Sequence, residues 1–364
     1  MKYVKLGDIC SKGVSSLRQK DTLPVGDYPV YGASGICGYL SDYQHNEPYV
    51  AVVKDGAGVG RVQLCSGKSS VLGTLQALLP KEEVNCEYLY EVVRSLNLGD
   101  GFTGSTIPHI YFKDYKNRTV VIYEKEQQTK ITVLFSAVKN VIELHKLAIS
   151  TCDKLVKSRF IEMFGDPCDS QRSTMSCCPI EKFCEVRIGP FGSALHKSDY
   201  VFGGHALVNP SHIVKGKIKI NKKLAVNEEK YASMKAYHLK KGDVVLGRRG
   251  EIGRCAVVNQ EGLLCGTGSM ILRPDVHLCL SEYLQHIVSF PTFAEALERD
   301  AVGVTMKNLN AKIVENAVVV LPPMSLQREF ISFVHQVDKL KFDFDFLVSF
   351  KIPSICLLCL ELDP

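Results

Sequence analysis

The sequence lacks the features of a membrane protein or a secreted protein. It has no uninterrupted run of the roughly 18 apolar residues that a membrane-spanning helix requires. Its first eight residues lack the apolar core of a signal peptide. With 46% hydrophobic and 23% charged residues, the composition also differs from that of a disordered or collagen-like chain. We therefore expect a folded protein of the cytoplasm with no membrane partner.

The sequence also lacks a cysteine framework, although it contains 14 cysteines. They are scattered singly, except for the adjacent Cys177 and Cys178 and the CxxC pair of Cys356 and Cys359. A structural zinc site needs four ligands, and no second pair accompanies this CxxC. In a reducing cytosol such cysteines are most simply buried small hydrophobic residues. We predict no metal site.

Charge is unevenly distributed along a chain whose formal net charge is +5. Residues 177–322 contain 19 Lys and Arg against 14 Asp and Glu, whereas the other segments are close to neutral or slightly acidic. A basic segment is compatible with a polyanionic partner such as nucleic acid. An ordinary solvated surface explains the charge equally well, so charge alone leaves the partner open.

The most informative feature of the sequence is an internal repeat with a period near 195 residues. Paired markers keep their order while the offset between the two copies grows only from 193 to 199 residues. The markers are Gly60-Arg61 and Gly253-Arg254, Gly73-Thr74 and Gly266-Thr267, Tyr88-Leu89 and Tyr283-Leu284, Gly104 with Thr106 and Gly303 with Thr305, and Gln128 and Gln327. Because the period is too long for a solenoid, the chain contains two copies of a globular domain, each followed by a further element.

Each copy is followed by a segment with a heptad pattern of apolar residues. Residues 124–164 contain neither proline nor glycine and predict an amphipathic helix of roughly 60 Å, which Gly165 and Pro167 end. The residues expected to pack along the two spacer helices are Phe135, Ile142, Ile149, Val156, Phe330, Phe333, Val337, Leu340, Phe344 and Leu347. We expect the two helices to pack against each other. An antiparallel arrangement would hold the two domains at opposite ends of one rod.

Each globular block combines strand-like runs with helical segments, which indicates a mixed α/β domain. Apolar runs at residues 49–53, 243–246 and 318–321 predict strands, and residues 217–220 alternate Lys and Ile in a strand with one basic face. Residues 82–96 and 281–297 predict helices.

Three phrases in the sequence are similar to those of a known family. They are Leu155-Val-Lys-Ser-Arg-Phe-Ile-Glu-Met-Phe-Gly-Asp-Pro167, Ile188-Gly-Pro-Phe-Gly-Ser193 and Leu321-Pro-Pro-Met-Ser-Leu-Gln-Arg-Glu-Phe330. They resemble, in order, the central spacer, the opening of many target-recognition domains and the start of the distal spacer in specificity subunits of type I restriction–modification enzymes. The resemblance extends from about residue 3 to about residue 350.

The resemblance implies an α+β fold class, with two mixed α/β target-recognition domains separated by long antiparallel coiled-coil-like spacer helices. The expected segments are a first target-recognition domain at 1–122, a central spacer helix at 123–166, a second target-recognition domain at 177–322, a distal spacer helix at 323–352 and an atypical tail at 353–364. By the repeat, the tail should continue the helix, but Pro353 interrupts it. We interpret the end as truncated or frame-shifted. In this family the distal spacer contacts a methyltransferase subunit, and such an end would weaken that contact.

In that family, each target-recognition domain reads one half of a split site on double-stranded DNA. The spacer helices bind two methyltransferase subunits, and two restriction subunits that translocate DNA complete the complex. The resemblance therefore implies a non-catalytic subunit that binds no cofactor itself. S-adenosylmethionine, ATP and Mg²⁺ are expected on the partner subunits.

Three fragments are similar to catalytic or nucleotide-binding motifs, but each lacks an essential part. The glycine-rich residues 56–60 precede a strand-like segment where a dinucleotide loop requires a helix, so we expect a hairpin turn. Gly67-Lys-Ser69 lacks the first glycine of a phosphate-binding loop, since Val62 stands there. Asn209-Pro210 lacks the aromatic residue of the adenine-methyltransferase tetrapeptide. A stand-alone methyltransferase is therefore disfavoured, whereas a silent copy that stores recognition domains for recombination stays open.

Candidates for DNA contact follow from the repeated Gly-Arg and Gly-x-Thr positions, because Lys and Arg bind phosphates while Arg and Asn grip guanine and adenine at two points. In the first domain they are Lys54, Arg61, Ser105, Thr106 and His109. In the second they are Gly192, Ser193, Lys215, Lys217, Lys219, Lys222, Lys223, Arg248, Arg249, Arg254, Lys307 and Asn308. Each arginine could instead form an exposed salt bridge, and the lysines could protect an edge strand from aggregation.

Overall fold

The computed structural model describes residues 1–104, 108–168, 175–191, 194–301, 303 and 308–349, and the side chains of the last segment up to residue 342. The chain divides into two compact units: the second is Leu147–Asp345, the first is the rest of the chain, and their first boundary lies between Lys146 and Leu147. This boundary falls inside one continuous helix, which contributes its first part to one unit and its second part to the other. No helix among the described residues is long and apolar enough to cross a membrane.

The first unit consists of short strands followed by the first part of the long helix. Its strands are β1 (Lys2–Lys5), β2 (Cys10–Lys12), β3 (Tyr28–Gly32), β4 (Gly35–Leu40), β5 (Tyr49–Val53), β6 (Val62–Cys65), β7 (Ser70–Val71), β8 (Leu75–Pro80) and β9 (Thr119–Ile122). Its helices are α1 (Leu6–Ile9), α2 (Cys86–Ser95), α3 (Phe112–Tyr115) and the beginning of α4 (Lys125–Phe164).

The core of the first unit lies on both faces of an antiparallel four-stranded sheet in the order β2-β8-β5-β6. All five side chains of β5 are buried. Val50 and Val52 pack with Leu89 of α2, whereas the alternate residues of the strand face a smaller sheet in the order β4-β3-β7. A strand covered on both faces requires the continuous apolar run that the sequence contains.

The second unit is larger and contains the other part of α4. Its strands are β10 (Cys177–Pro179), β11 (Cys184–Ile188), β12 (Tyr200–Val201), β13 (His205–Val208), β14 (Ile213–Val214), β15 (Lys217–Ile218), β16 (Ala225–Val226), β17 (His238–Leu239), β18 (Val244–Gly247), β19 (Cys255–Val257), β20 (Leu263–Cys265), β21 (Ser269–Pro274) and β22 (Val318–Val320). Its helices are α5 (Glu228–Ser233), α6 (Ser281–Val288), α7 (Pro291–Asp300), α8 (Ala311–Asn316) and α9 (Met324–Ser349), which belongs to this unit up to Asp345.

The second unit repeats the architecture of the first. Its antiparallel sheet β11-β21-β18-β19 corresponds to β2-β8-β5-β6, and the helix that follows it, α6, packs on one face as α2 does. A five-stranded sheet in the order β12-β16-β13-β20-β17 covers the other face. The repeat in the sequence is thus a repeat of fold, and the prediction of two mixed α/β domains is confirmed.

Several predicted boundaries shift for local reasons. The helix predicted at 82–96 begins only at Cys86, because the Asn85 side chain accepts hydrogen bonds from the backbone N–H groups of Glu87 and Tyr88 and caps it. The helix predicted at 281–297 is two helices, since Pro291 starts a new one. The predicted end of α4 is confirmed: it stops at Phe164, and Gly165 has a φ of +79°.

An equivalent buried glutamine attaches the start of each spacer helix to its own domain. In the first unit, Gln128 Oε1 accepts from Asn85 N (2.8 Å), and Nε2 donates to the carbonyls of Glu83 (2.9 Å) and Tyr123 (2.8 Å). Gln327 makes the same three bonds in the second unit, at 2.8, 2.9 and 2.8 Å. Both side chains are fully buried, so each helix start is held by a satisfied polar contact.

Within the second unit, α9 packs antiparallel against the last part of α4. Arg159 pairs with Glu329 near the start of α9 (2.9 Å), and Asp153 pairs with Lys341 further along it (2.7 Å). An earlier residue of one helix thus meets a later residue of the other. The expected antiparallel packing of the spacer helices is confirmed for this part of the chain.

The residues predicted to pack along the spacer helices differ in burial. Those that are buried are Phe135, Val156, Phe330 and Val337. Those that are half-buried are Ile142, Ile149 and Phe333. The heptad prediction is wrong at Leu340, which is 52% exposed. Ile331 and Val334, which lie outside the predicted heptad positions, are buried instead. The reason is that α9 packs on the domain core as well as on α4, which widens its buried stripe. The side chains of Phe344 and Leu347 and the tail at 353–364 lie outside the described residues.

Candidate nucleic-acid interface

In the second unit, two candidate segments that are distant in the sequence lie side by side. Arg248 and Arg249 follow the end of β18, and Arg249 forms an antiparallel bridge with Asn308. Leu309 N donates to the carbonyl of Arg248 over 3.0 Å. The Arg248 Nε donates to Asn308 Oδ1 over 2.9 Å. The structure therefore brings three of the predicted DNA-contact residues into one cluster.

The two adjacent arginines have different surroundings. Arg248 is only 5% exposed, and burial, together with the nearby charge of Arg249, lowers the pKa of its guanidinium. Arg249 is exposed, and no hydrogen bond or ion pair joins its side chain to a residue that the structure describes. A free guanidinium can grip guanine or a phosphate, whereas Arg248 is engaged in positioning Asn308.

Arg254, at the far end of the same turn, is held by the protein. Its Nε donates to Glu251 Oε2 over 3.0 Å, and its Nη1 donates to the carbonyl of Pro210 over 3.3 Å. Its charge is therefore partly offset, as in the salt-bridge interpretation of the sequence. The turn is compact, because Gly253 has a φ of +87° and an added Cβ would lie 2.5 Å from the Ala294 Cβ.

The five candidate lysines of this unit are exposed and lie in or just after the β14–β15 hairpin. They are Lys215, Lys217, Lys219, Lys222 and Lys223. The predicted strand at 217–220 is shorter, ending at Ile218. Gln285 fixes the hairpin, since its Nε2 donates to the Gly216 carbonyl (3.3 Å) while its Oε1 accepts from Val257 N (2.9 Å). Lys215 of the hairpin lines one groove together with Glu251 and Arg254 of the β18–β19 turn.

The first unit contains the same pairing of segments. Asp55 forms an antiparallel bridge with His109, and Ile110 N donates to the carbonyl of Lys54 over 2.9 Å. Lys54 and His109 are both half-buried. The structure thus brings together two of the candidates in this unit. It adds Asp55, a residue that the sequence reasoning missed. The bridge makes Asp55 the counterpart of Arg249, whereas the offset of 193 residues at Gly60-Arg61 aligns it with Arg248.

The remaining candidates are less informative. Arg61 is exposed, and its Nη1 donates to the carbonyl of Ala33 over 3.0 Å. The candidates that lie outside the described residues are Ser105, Thr106, Gly192, Ser193 and Lys307.

The fragments similar to catalytic motifs occupy structural positions. Residues 56–60 form the turn of the antiparallel β5–β6 hairpin, which confirms the hairpin interpretation. Asn209 precedes a short 3₁₀ turn in which the buried His212 is hydrogen-bonded through Nδ1 to the Leu207 carbonyl (2.9 Å). Burial raises the pKa of the Cys10 and Cys255 thiols to about 12, as expected for cysteines that pack in a core. Among the described residues, no group of three or more His, Cys, Asp or Glu is arranged to hold a metal ion.

A family model described as the type I restriction modification DNA specificity domain matches the chain over residues 1–151 and 196–345. The two matched segments fall on the two halves of the repeat. The chain belongs to this family. It is therefore a type I specificity subunit with two DNA-recognition domains.

Solved structures share the fold of this specificity subunit. The S subunit of the type I restriction–modification system from M. genitalium has a TM-score of 0.59 at 15% identity, covering 98% of this chain and 93% of that chain. A structure described as the basis of complex assembly and conformational transition of the type I R-M system has a TM-score of 0.60 at 16% identity, covering 96% of this chain and 93% of that chain. No curated protein sequence matches the chain significantly.

Proposed function

We propose that this subunit reads a split site on double-stranded DNA without catalysing a reaction itself, and that each unit reads one half-site. The observation that carries this proposal is the recurrence in both units of one pair of bridged loop segments, which we call the reading loop. Residues 54–55 pair with 109–110, and residues 248–249 pair with 308–309, through the same bridge and the same backbone hydrogen bond. Two copies of one reading surface on a single chain require two target segments.

Binding to the DNA backbone would come from exposed cations. The hairpin lysines and Arg249 are exposed positive side chains of the second unit, and Lys215 lines a groove together with Arg254. Such groups neutralise phosphates and release counterions, which supplies affinity that does not depend on sequence and decreases with salt. Side chains at the loop pair would then supply the sequence selection.

The long helix supports docking of partner subunits. Apolar side chains along α4 that are more than 40% exposed are Val133, Leu134, Val141, Leu144, Leu147, Leu155 and Ile161. Exposed apolar surface of this kind is typical of protein–protein interfaces. We infer that the spacer helices dock two methyltransferase subunits, and that two restriction subunits complete the complex. S-adenosylmethionine, ATP and Mg²⁺ would be bound by those partners.

The test is to co-express the full chain with the methyltransferase subunit from the same genome and to map N6-methyladenine by single-molecule sequencing. The expected result is methylation at one motif with two short half-sites and a fixed unspecific gap. Expression of the methyltransferase subunit alone is the control and should leave this motif unmethylated.

Two results would contradict the proposal. Methylation at a single continuous motif would show that only one unit reads DNA. A soluble, folded chain that assembles with the methyltransferase but directs no methylation would instead favour a silent copy that stores recognition domains.

A further inference from the structure

The reading loops of the two units have one pair of equivalent positions with opposite charges. Asp55 is bridged to His109 in the first unit, and Arg249 is bridged to Asn308 in the second. The backbone hydrogen bond beside each bridge is also the same, at 2.9 and 3.0 Å. Asp55 and Arg249 are therefore structural equivalents at the same place in the loop pair.

Neither side chain is engaged within the protein. Asp55 is half-buried and Arg249 is exposed, and neither forms a hydrogen bond or an ion pair with any residue in the described part of the chain. In the second unit the neighbouring Arg248 is buried and bound to Asn308, so Arg249 is the arginine at this bridge that can reach a ligand. Asp55 and Arg249 are thus both available to a ligand.

Because Asp55 and Arg249 have opposite charges, they cannot both bind phosphates. Phosphates attract a guanidinium but repel a carboxylate, so an aspartate facing DNA weakens binding unless a base donates a hydrogen bond to it. In the major groove, the exocyclic amino groups of cytosine and adenine are donors, whereas guanine presents two acceptors, O6 and N7. Asp55 and Arg249 therefore match bases of opposite hydrogen-bonding type.

We propose that Asp55 accepts a hydrogen bond from the amino group of cytosine or adenine in one half-site, and that Arg249 donates to O6 and N7 of guanine in the other. This inference rests on the proposed function and adds the kind of base that each unit selects. The two half-sites consequently differ at corresponding positions, although the loops that read them are built in the same way.

The test uses the full chain in complex with the methyltransferase subunit and the variants Asp55→Ala and Arg249→Gln. Methylation rates are measured on duplexes that carry each of the four base pairs in turn at every half-site position, and DNA binding is measured as a function of salt. Asp27→Ala and Lys182→Gln are the controls, since they remove the same charges from exposed positions elsewhere in each unit.

We expect Asp55→Ala to reduce the preference for cytosine or adenine at one position of one half-site by about 5- to 150-fold, and Arg249→Gln to reduce the preference for guanine in the other half-site similarly. The four-base series shows which of cytosine and adenine is read. Unchanged preferences in the half-site that the variant does not touch show that the chain is folded and assembled.

A different pattern would overturn the inference. If Arg249 binds a phosphate, Arg249→Gln weakens binding to all duplexes alike and reduces the salt slope by about 1, with no change in base preference. Unaltered base preferences in both variants, with a split site still methylated by the wild-type complex, would refute this inference alone. A wild-type complex that methylates no split site would refute the proposed function and the inference with it.

Discussion

Arg248 and Asn308 are joined by a hydrogen bond of 2.9 Å from Nε to Oδ1, although 60 residues separate them in the sequence. Both residues are candidates for DNA contact, but this hydrogen bond holds their side chains against each other within the protein. Arg248 is buried, and its backbone N–H also donates to the Gly268 carbonyl over 2.9 Å. The pair therefore holds the two segments of the reading loop together beneath the exposed Arg249.

We predict that Arg248→Met destabilises the second unit by about 1.5–3 kcal/mol, because a charged hydrogen bond is lost and Asn308 Oδ1 keeps no partner. Reading of the second half-site should fail as well, since the segment at 308–309 is no longer fixed. Hydrogen exchange of the β18 and β21 amides measures the stability. Arg249→Gln, at an exposed position, should leave that exchange unchanged; equal protection in the two variants would show that the Arg248 contact is not structural.

The buried glutamines at the helix starts give a second prediction. Gln128→Ala leaves a backbone N–H and two carbonyls of the first unit without partners, and Gln327→Ala does the same in the second. We expect each change to lower the free energy of unfolding of its own unit by about 2–4 kcal/mol and to leave the other unit unaffected.

Urea unfolding of the intact chain, followed by hydrogen exchange in each unit, tests this prediction. Gln336→Ala removes an exposed glutamine from α9 and serves as the control, with no expected change. A loss of stability spread evenly over both units would argue against two independent attachments.

His286, a half-buried residue of α6 that packs against Phe330, predicts a dependence of stability on pH. Burial lowers the pKa of its imidazole to about 4, despite an opposing effect of Asp338; Lys341 and His335, also on α9, lower it further. The folded state therefore favours the neutral ring. Its contribution to stability is complete above the ordinary pKa of 6.5 and is lost as pH falls from 6.5 towards 4.

We expect the second unit to lose about 2 kcal/mol between pH 7.5 and pH 5 from this residue. Hydrogen exchange of the α6 amides at the two pH values, corrected for the intrinsic rate, measures the loss. His286→Gln should remove this part of the pH dependence. An undiminished slope in that variant would assign the effect to other groups. At the repeat-equivalent position the first unit has Glu91, ion-paired with Lys139, so the two units should respond to acid differently.

The features that could be predicted from the sequence are those determined by local chemistry or by the repeat. Gly165 ends α4, the glycines of residues 56–60 make a hairpin turn, and Gln128 and Gln327 occupy equivalent places, because each depends on one residue type at one position. The repeat also aligns the two reading loops, even though their side chains differ.

The features that could not be predicted depend on packing between distant segments. The burial of Arg248 results from contacts with Gly268 and Asn308, which no local pattern reveals. The exposure of Leu340 results from the position of α9 on the domain core, where Ile331 and Val334 are covered instead. Asp55 gives no signal in a pattern of positive charge, although reading bases also needs hydrogen-bond acceptors.

The hairpin lysines give the last prediction, which concerns affinity without sequence selection. Lys222 and Lys223 are exposed and follow the β14–β15 hairpin. If they bind phosphates, replacing both by Gln weakens binding to every duplex. It also reduces the slope of log affinity against log salt by up to about 2, because the DNA releases about one counterion fewer for each phosphate contact that is lost. The methylated motif should stay the same.

The matched control is Lys240→Gln with Lys241→Gln, which removes two exposed charges from the same unit and should leave the slope unaltered if those lysines lie off the DNA. A changed motif in the Lys222 and Lys223 variant would mean that the hairpin reads bases, and an unchanged slope would favour the alternative that these lysines only protect a short edge strand from aggregation.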